Sequence, residues 1–156
     1  MKIIDKIIEW ENISYNIDKW KSENKKIIFT NGCFDILHKG HVEYLEKAKE
    51  LGDILIVGLN SDLSVKRLKG ESRPINDQIS RAKIIASLFF VDAVIIFNDD
   101  TPLKLIKNIL PNILVKGGDY IIEDIVGYDI VKNNGGKTIT IDLTKGYSTT
   151  NIINKI

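Results

Sequence analysis

FTNGCFDILHKGHVEYLEKAKELGD, Phe29 to Asp53, contains both histidines of the chain, His38 and His41, three residues apart. The stretch opens on the end of a short β-branched apolar run, KIIFT (Lys26–Thr30), and passes a glycine turn. It continues as HVEYLEKAKELG, in which Val42, Leu45, Ala48 and Leu51 share one helical face and Gly52 is a stop signal. A buried strand that runs through a glycine turn into a helix is the building unit of a parallel sheet covered by helices. That reading decides the fold class.

The same unit repeats toward the C-terminus. DILIVGLN (Asp53–Asn60) reads as a second buried strand, and SDLSVKRLKG as a helix opened by a Ser-Asp cap and closed by Gly70. ESRPIND reads as loop, Gln78–Phe90 as helix and DAVIIF as strand. TPLKLIKNIL has Thr101 as N-cap and Pro102 at the first helical position. NILVKGGD is a strand ending in a glycine turn, GKTITID another strand, and STTNIINKI a closing helix capped by Ser148 or Thr149. Toward the N-terminus, Ile3, Ile4, Ile7 and Ile8, then Ile13, Ile17 and Trp20, fall at helical spacing. They predict one or two short amphipathic helices over 2–24, with Ser14 as an N-cap.

The order β-α-β-α-β-α-β-β-α predicts an α/β, Rossmann-like domain: a mainly parallel sheet with helices on both faces. It spans 1–156 as one unit, with 1–25 as an N-terminal helical extension that packs on its own domain or makes a homodimer contact. In such sheets ligands bind beyond the carboxyl ends of the strands, where strand order reverses. The loops after Thr30, Asn60, Phe97 and Lys116 are therefore the ones to inspect.

Composition narrows the function classes. At 156 residues, 44% apolar and 28% charged, the chain has the make-up of a soluble globular domain. A net charge of +1 gives no broad footprint for nucleic acid. The lone Cys33 cannot form an internal disulfide. No apolar run approaches the roughly 18 residues of a membrane-spanning helix. The N-terminal residues carry charges every few positions, unlike a signal peptide. A cytoplasmic protein without membrane contact is expected.

For the histidine pair three chemistries compete. An H-x-x-H pair standing by itself is usually a solvated helix face. A zinc site needs at least three protein ligands, and beyond Cys33 or Asp35 the chain has no further Cys or His to recruit. Cys33 as a nucleophile lacks a protease-like setting. The position after a strand, beside Asn31, Gly32 and Gly40 and at a helix start, favours an anion, because free backbone N–H groups and the helix dipole point there.

GCFDILHKGH resembles the G-x-F-D-x-x-H-x-G-H signature of the nucleotidylyltransferase superfamily, and STTNIINKI resembles the S-T-T segment of its cytidylyltransferase-like branch. More narrowly, the opening stretch, VGLNSDLSVKRLKGESRPIN and LVKGGDY are similar to the adenylyltransferase half of bifunctional heptose-phosphate kinase/adenylyltransferases. The similarity runs from about residue 26 to the C-terminus, with four motifs in order. It implies attack of a sugar 1-phosphate oxygen on the α-phosphorus of ATP, with pyrophosphate leaving and Mg²⁺ carried on the triphosphate. The product is ADP-heptose for lipopolysaccharide. The kinase half of those enzymes has no counterpart in this sequence, so a separate heptose kinase is expected to supply the acceptor.

By motif, the resemblance gives His38, His41 and Lys69 catalytic roles. It gives nucleotide contacts to Thr30, Asn31, Gly32, Cys33, Phe34, Gly40, Lys66, Arg81, Lys116, Gly117, Gly118, Asp119, Ser148 and Thr149. Asp35 and Asn60 fall to the acceptor, Asp35 alternatively orienting its own loop through backbone N–H groups. No protein metal ligand is expected. Lys39 and Lys145 depart from the residue types common in relatives. Leu143 stands where cytidylyltransferases carry an arginine, which favours ATP over CTP. Cytidylyl transfer to glycerol 3-phosphate or another small phosphate is the alternative.

Overall fold

The computed structural model describes residues 1–118 and 120–156. Five strands, β1 (Ile27–Gly32), β2 (Ile54–Asn60), β3 (Ala93–Phe97), β4 (Ile113–Gly117) and β5 (Lys137–Ile141), form one sheet in the order β3-β2-β1-β4-β5. Every pairing is parallel. Successive residues point to opposite faces, and both faces are buried. Ile28, Leu55, Val57, Val94 and Val115 meet α2 (Lys39–Lys49) and α4 (Gln78–Ser87) on one side. Ile27, Phe29, Ile56, Ile95 and Leu114 meet α1 (Ile13–Ser22), α5 (Leu103–Ile109) and α6 (Tyr128–Asn133) on the other. This is why the strands read as continuous apolar runs and not as alternation.

The chain reverses direction of travel at β1, which has β2 on one side and β4 on the other. The β1–β2 ladder runs over six pairs, but β1 and β4 pair only at Ile28↔Ile113 and Phe29↔Leu114. Beyond Phe29 and Leu114 both strands continue without pairing to each other. The sheet therefore parts where a crevice is wanted, at the carboxyl ends beside the switch point.

Several element predictions are corrected. The N-terminal stretch forms two 3₁₀ turns, Ile3–Lys6 and Trp10–Asn12, ahead of α1, whose N-cap position is Asn12 and not Ser14. Ile13 and Ile17 of α1 are buried on the chain's own sheet, each contributing about 1.5–3 kcal/mol of apolar burial. Ile7 bridges to Val94, and the Ile8 N–H donates to the Val94 carbonyl at 2.9 Å, so this segment lies along the outer margin of β3. Helix α4 stops at Ser87, short of Phe90, and Pro102 occupies the N-cap of α5 in place of Thr101. Helix α6 is absent from the sequence prediction. Parallel strands require a crossover, so β4 and β5 could not have been joined by a short turn. Helix α3 (Asp62–Lys69) and the closing α7 (Thr149–Ile153) form as expected, capped by the Ser61 and Ser148 hydroxyls.

Candidate active site

The site is built where β1 hands over to α2. Thr30, fully buried, shares a 2.6 Å hydrogen bond with the Tyr44 hydroxyl, fixing the strand end to the helix. The chain then turns through Phe34, which adopts a left-handed φ of 43°. The Phe34 ring lies so close to Gly32 that a Cβ there would stand 2.9 Å from it. Asp35 is buried and ties this turn to the loop after α3. It accepts from Arg73 Nε at 2.7 Å and from the Ile75 and Asn76 N–H groups at 2.9 Å. Burial alone would raise the Asp35 carboxyl, but the Asn76 and Ile75 N–H groups and Arg73 outweigh it and hold it below its usual range. Of the two roles considered for Asp35, its contacts are those of loop orientation.

His38 sits at the N-cap of α2 and His41 in its first turn. Their rings stack, with centroids 3.7 Å apart at an angle of 21°, and Phe34 meets His41 edge-on at 5.1 Å. Gly40 between them relieves crowding, because a Cβ would lie 3.0 Å from His38 and 3.2 Å from the Cβ of Tyr147. Burial, then the neighbouring His38 and Lys69 charges, push His41 down to about 4. Burial also lowers His38. Both imidazoles are therefore neutral at pH 7, each with one N–H donor and one acceptor nitrogen.

Around these rings lies a cavity of about 400 Å³. The predicted residues Asn31, Gly32, Cys33, Phe34, Asp35, His38, Gly40, His41, Lys69, Lys116, Gly117, Ser148 and Thr149 all line it. A second cavity of about 510 Å³ adjoins it, lined by Asn60, Asp100, Thr101 and Asp124 with Leu68, Leu114, Ile125 and Val126. Cys33, Lys69, Lys116 and Tyr120 belong to both walls. The two cavities are lobes of one cleft, with two lysines at the waist. Burial lowers Lys116, Cys33 pulling weakly the other way, and burial raises the Cys33 thiol against the opposing charges of Lys69, Arg81 and Arg73. Cys33 is thus a protonated wall residue, not a nucleophile.

Four predicted contacts are not made at the cavity surface. Arg81 is fully buried. Its Nε donates to the Asn76 carbonyl, Nη1 to the carbonyls of Cys33 and Asn60 at 2.7 and 2.8 Å, and Nη2 to Asp62 at 2.8 Å. Its four hydrogen bonds fasten the β1 and β2 loop ends together from beneath. Lys66 is exposed on α3 outside both cavities; Lys69, one turn on, reaches both. Thr30 lies below the floor. Gly118, at φ 93°, turns the chain after β4 and lines neither lobe. Asp119 lies outside the described residues.

Sequence reasoning missed Tyr44, Tyr120, Thr144 and Tyr147, all of which line the first lobe. Tyr44 was legible, three residues after His41 and so on the same helical face. Gly117 ends β4 against the side chains of Leu143 and Tyr44, whose atoms would stand 2.6 and 3.2 Å from a Cβ, so the missing side chain lets them close on the backbone. Glu43 accepts from the Thr144 hydroxyl at 2.5 Å, and Thr149 donates to the Ile36 carbonyl at 3.3 Å, so the segment before α7 lies over the histidine turn.

Known proteins resemble this chain to different depths. The protein named bifunctional protein HldE from Geobacter metallireducens is 54% identical over 151 residues, 97% of this chain and 31% of that protein. Its namesake from Campylobacter jejuni subsp. doylei is 60% identical over 136 residues, 87% of this chain and 29% of that protein. The chain therefore spans about a third of the length of these curated relatives. Among solved structures, a lipopolysaccharide core biosynthesis protein from Thermoplasma volcanium superposes with a TM-score of 0.63 at 31% identity, over 80% of this chain and 99% of that one. A pantoate-beta-alanine ligase from Francisella tularensis, 19% identical, shares the fold with a TM-score of 0.60, over 96% of this chain and 78% of that one. The cytidylyltransferase-like family profile matches residues 29–155, from the strand before the histidine turn to the closing helix, and the chain belongs to that family.

Proposed function

We propose that the cleft transfers the adenylyl group of ATP to the phosphate of D-glycero-D-manno-heptose 1-phosphate, giving ADP-heptose and pyrophosphate. The observation that carries this reading is the two-lobed cleft whose lobes meet at Lys69 and Lys116. A reaction that joins a nucleotide to a second phosphate needs two binding lobes that meet at cations. The likeness to proteins named HldE and to a lipopolysaccharide core biosynthesis protein supports the sugar acceptor.

The nucleotide lies in the first lobe, its base beside Gly117, Tyr44 and Leu143 and its phosphates at the start of α2. Two neutral imidazoles and the free N–H groups of the helix start suit phosphate oxygens. The acceptor lies in the second lobe, where Asn60, Thr101, Asp100 and Asp124 offer partners for sugar hydroxyls. An acceptor phosphate oxygen attacks the α-phosphorus. As that bond forms, the bond to the β-phosphate oxygen breaks and its electron pair leaves with pyrophosphate. His38 and His41 steady the charge moving onto the leaving group, and Lys69 and Lys116 hold the two phosphates in line. Such transfer is mainly positioning and electrostatics, with no covalent intermediate.

Among the described residues, no cluster of three or more His, Cys, Asp or Glu could hold a metal, and Asp35 is consumed by Arg73 and two N–H groups. This donor set does not form a protein cage. It fits Mg²⁺ that arrives on the triphosphate and keeps its water ligands. We place the reaction in the cytoplasm, where ATP is available. No helix among the described residues is long and apolar enough to cross a membrane. Residues 1–156 act as one nucleotidylyltransferase unit, and a kinase activity, on this or another chain, supplies the acceptor.

Pyrophosphate release measured across ATP, CTP, heptose 1-phosphate and glycerol 3-phosphate tests the reading. Turnover is expected with ATP and heptose 1-phosphate in the presence of Mg²⁺. Turnover confined to CTP and glycerol 3-phosphate would overturn it.

A further inference from the structure

Among the described residues the two histidines lack a carboxylate or other side-chain partner of the kind that often fixes a catalytic imidazole. The Nδ1 atoms of His38 and His41 are buried without a hydrogen-bond partner among the described residues. Among the described residues neither ring bonds to another side chain, and only the Ile36 backbone beside His41 assists packing in setting the ring planes. The packing is a column of rings: Phe34 edge-on to His41 at 5.1 Å, His41 on His38 at 3.7 Å, and His38 beneath Tyr147 at 6.4 Å and 30°. The Lys39 ammonium caps the outer end, 5.6 Å from the centre of the Tyr147 ring, and pairs with Glu43 at 3.4 Å.

Phe34, at the inner end, is buried in the core, so the exposed outer plate is where the stack has freedom to lose. Tyr147 is that plate, and it is tied down from both sides. Thr144 is bonded to Glu43, and Thr149 to the Ile36 carbonyl. Gly40 makes room for it, because a Cβ there would crowd His38 and Tyr147 together.

We propose that Tyr147 is a positioning residue for nucleotidyl transfer: its ring closes the column and fixes the plane in which His38 and His41 meet phosphate. The proposal rests on the function proposed above.

The test compares Tyr147→Ala with Tyr147→Phe. The residue is 45% exposed, so neither change disturbs the core. In the Ala variant kcat is expected to fall about tenfold, since small misplacements of reacting groups are costly, with KM for ATP moving less than about threefold. The Phe variant, which keeps the ring, restores most of kcat. In nucleotide-free protein, NMR of the imidazole Cε1–H signals should show His38 losing its ring-current shift in Ala and keeping it in Phe. Its titration midpoint should also move up toward the ordinary value in Ala only: the Tyr147 ring stacked on His38 is lost there, while His41, the other titratable ring stacked on it, remains, as does Lys39 beyond the tyrosine.

Unchanged His38 signals in Ala, equal loss of kcat in both variants, or a change confined to KM would each overturn the proposal. The NMR arm needs no substrate. If the wild type proves inactive with ATP and heptose 1-phosphate, the proposed reaction fails while the column can still be judged.

Discussion

His38 and His41 lie face to face, 3.7 Å between ring centroids and 21° from parallel, with Lys69 adding its charge nearby. Two imidazolium ions could not share that geometry in a partly buried site. The stack thus selects the neutral form of both rings at physiological pH. A neutral pair donates to phosphate without carrying a fixed charge, and the charge can be taken up when a polyanion arrives.

NMR titration of the nucleotide-free protein should give His41 a midpoint near pH 4, below its ordinary value of 6.5. The sign for stability follows from linkage. Between those two values the unfolded chain binds the proton and the folded chain does not, so stability falls as pH drops through that window. Above pH 6.5 the group contributes no pH dependence. Adding Mg²⁺-ATP should raise the His41 midpoint. A His41 that titrates near 6.5 in both states would contradict the desolvated stack.

Replacing His41 by Ala removes a donor needed most as charge develops. By analogy with loss of an oxyanion-hole donor, the rate should fall about 10²–10³-fold, or roughly 3–4 kcal/mol, with little change in melting temperature. Cys33→Ser should keep most activity. Near-normal turnover in His41→Ala would remove it from the reaction.

Arg81→Met leaves the carbonyls of Cys33, Asn60 and Asn76 without their donor. At about 1–3 kcal/mol for each unsatisfied buried group, the loss should total at least about 3 kcal/mol in urea unfolding. Arg81→Lys should recover little, since one ammonium cannot span acceptors on three loops. A loss below about 1 kcal/mol would mean that the loops hold without it.

With heptose 1-phosphate as acceptor, ATP should exceed CTP by at least about tenfold in kcat/KM, because a base left unpaired in its slot costs about 1–3 kcal/mol. Asp124→Asn should raise KM for the sugar phosphate and leave KM for ATP unchanged. An Asp124→Asn effect on ATP alone would reassign the second lobe.

The fold was legible because a two-sided parallel sheet writes itself as short apolar runs, and KIIFT, DILIVGLN and NILVKG are such runs. Helix α6 was not: Tyr128–Asn133 buries only Val131, so it has no apolar stripe to see. The histidine turn was legible through its glycines and its place between strand and helix. Arg81 was misassigned because a motif gives a position along the chain, not which side of a loop a guanidinium enters. Tyr147 carries no local signal, since its role comes from a ring contributed more than a hundred residues earlier.

The two margins of the sheet are treated differently. At β3, the Ile7–Val94 bridge and the Ile8 N–H leave less of the strand open to a foreign chain. At β5 the outermost strand is only half-buried and begins with the exposed Lys137, a charge of the kind that discourages lateral pairing. The first eight residues therefore act as a selvedge. A protein shorn of them would keep its cleft intact yet become sticky along one border, its failure showing first as insolubility and only later as lost catalysis.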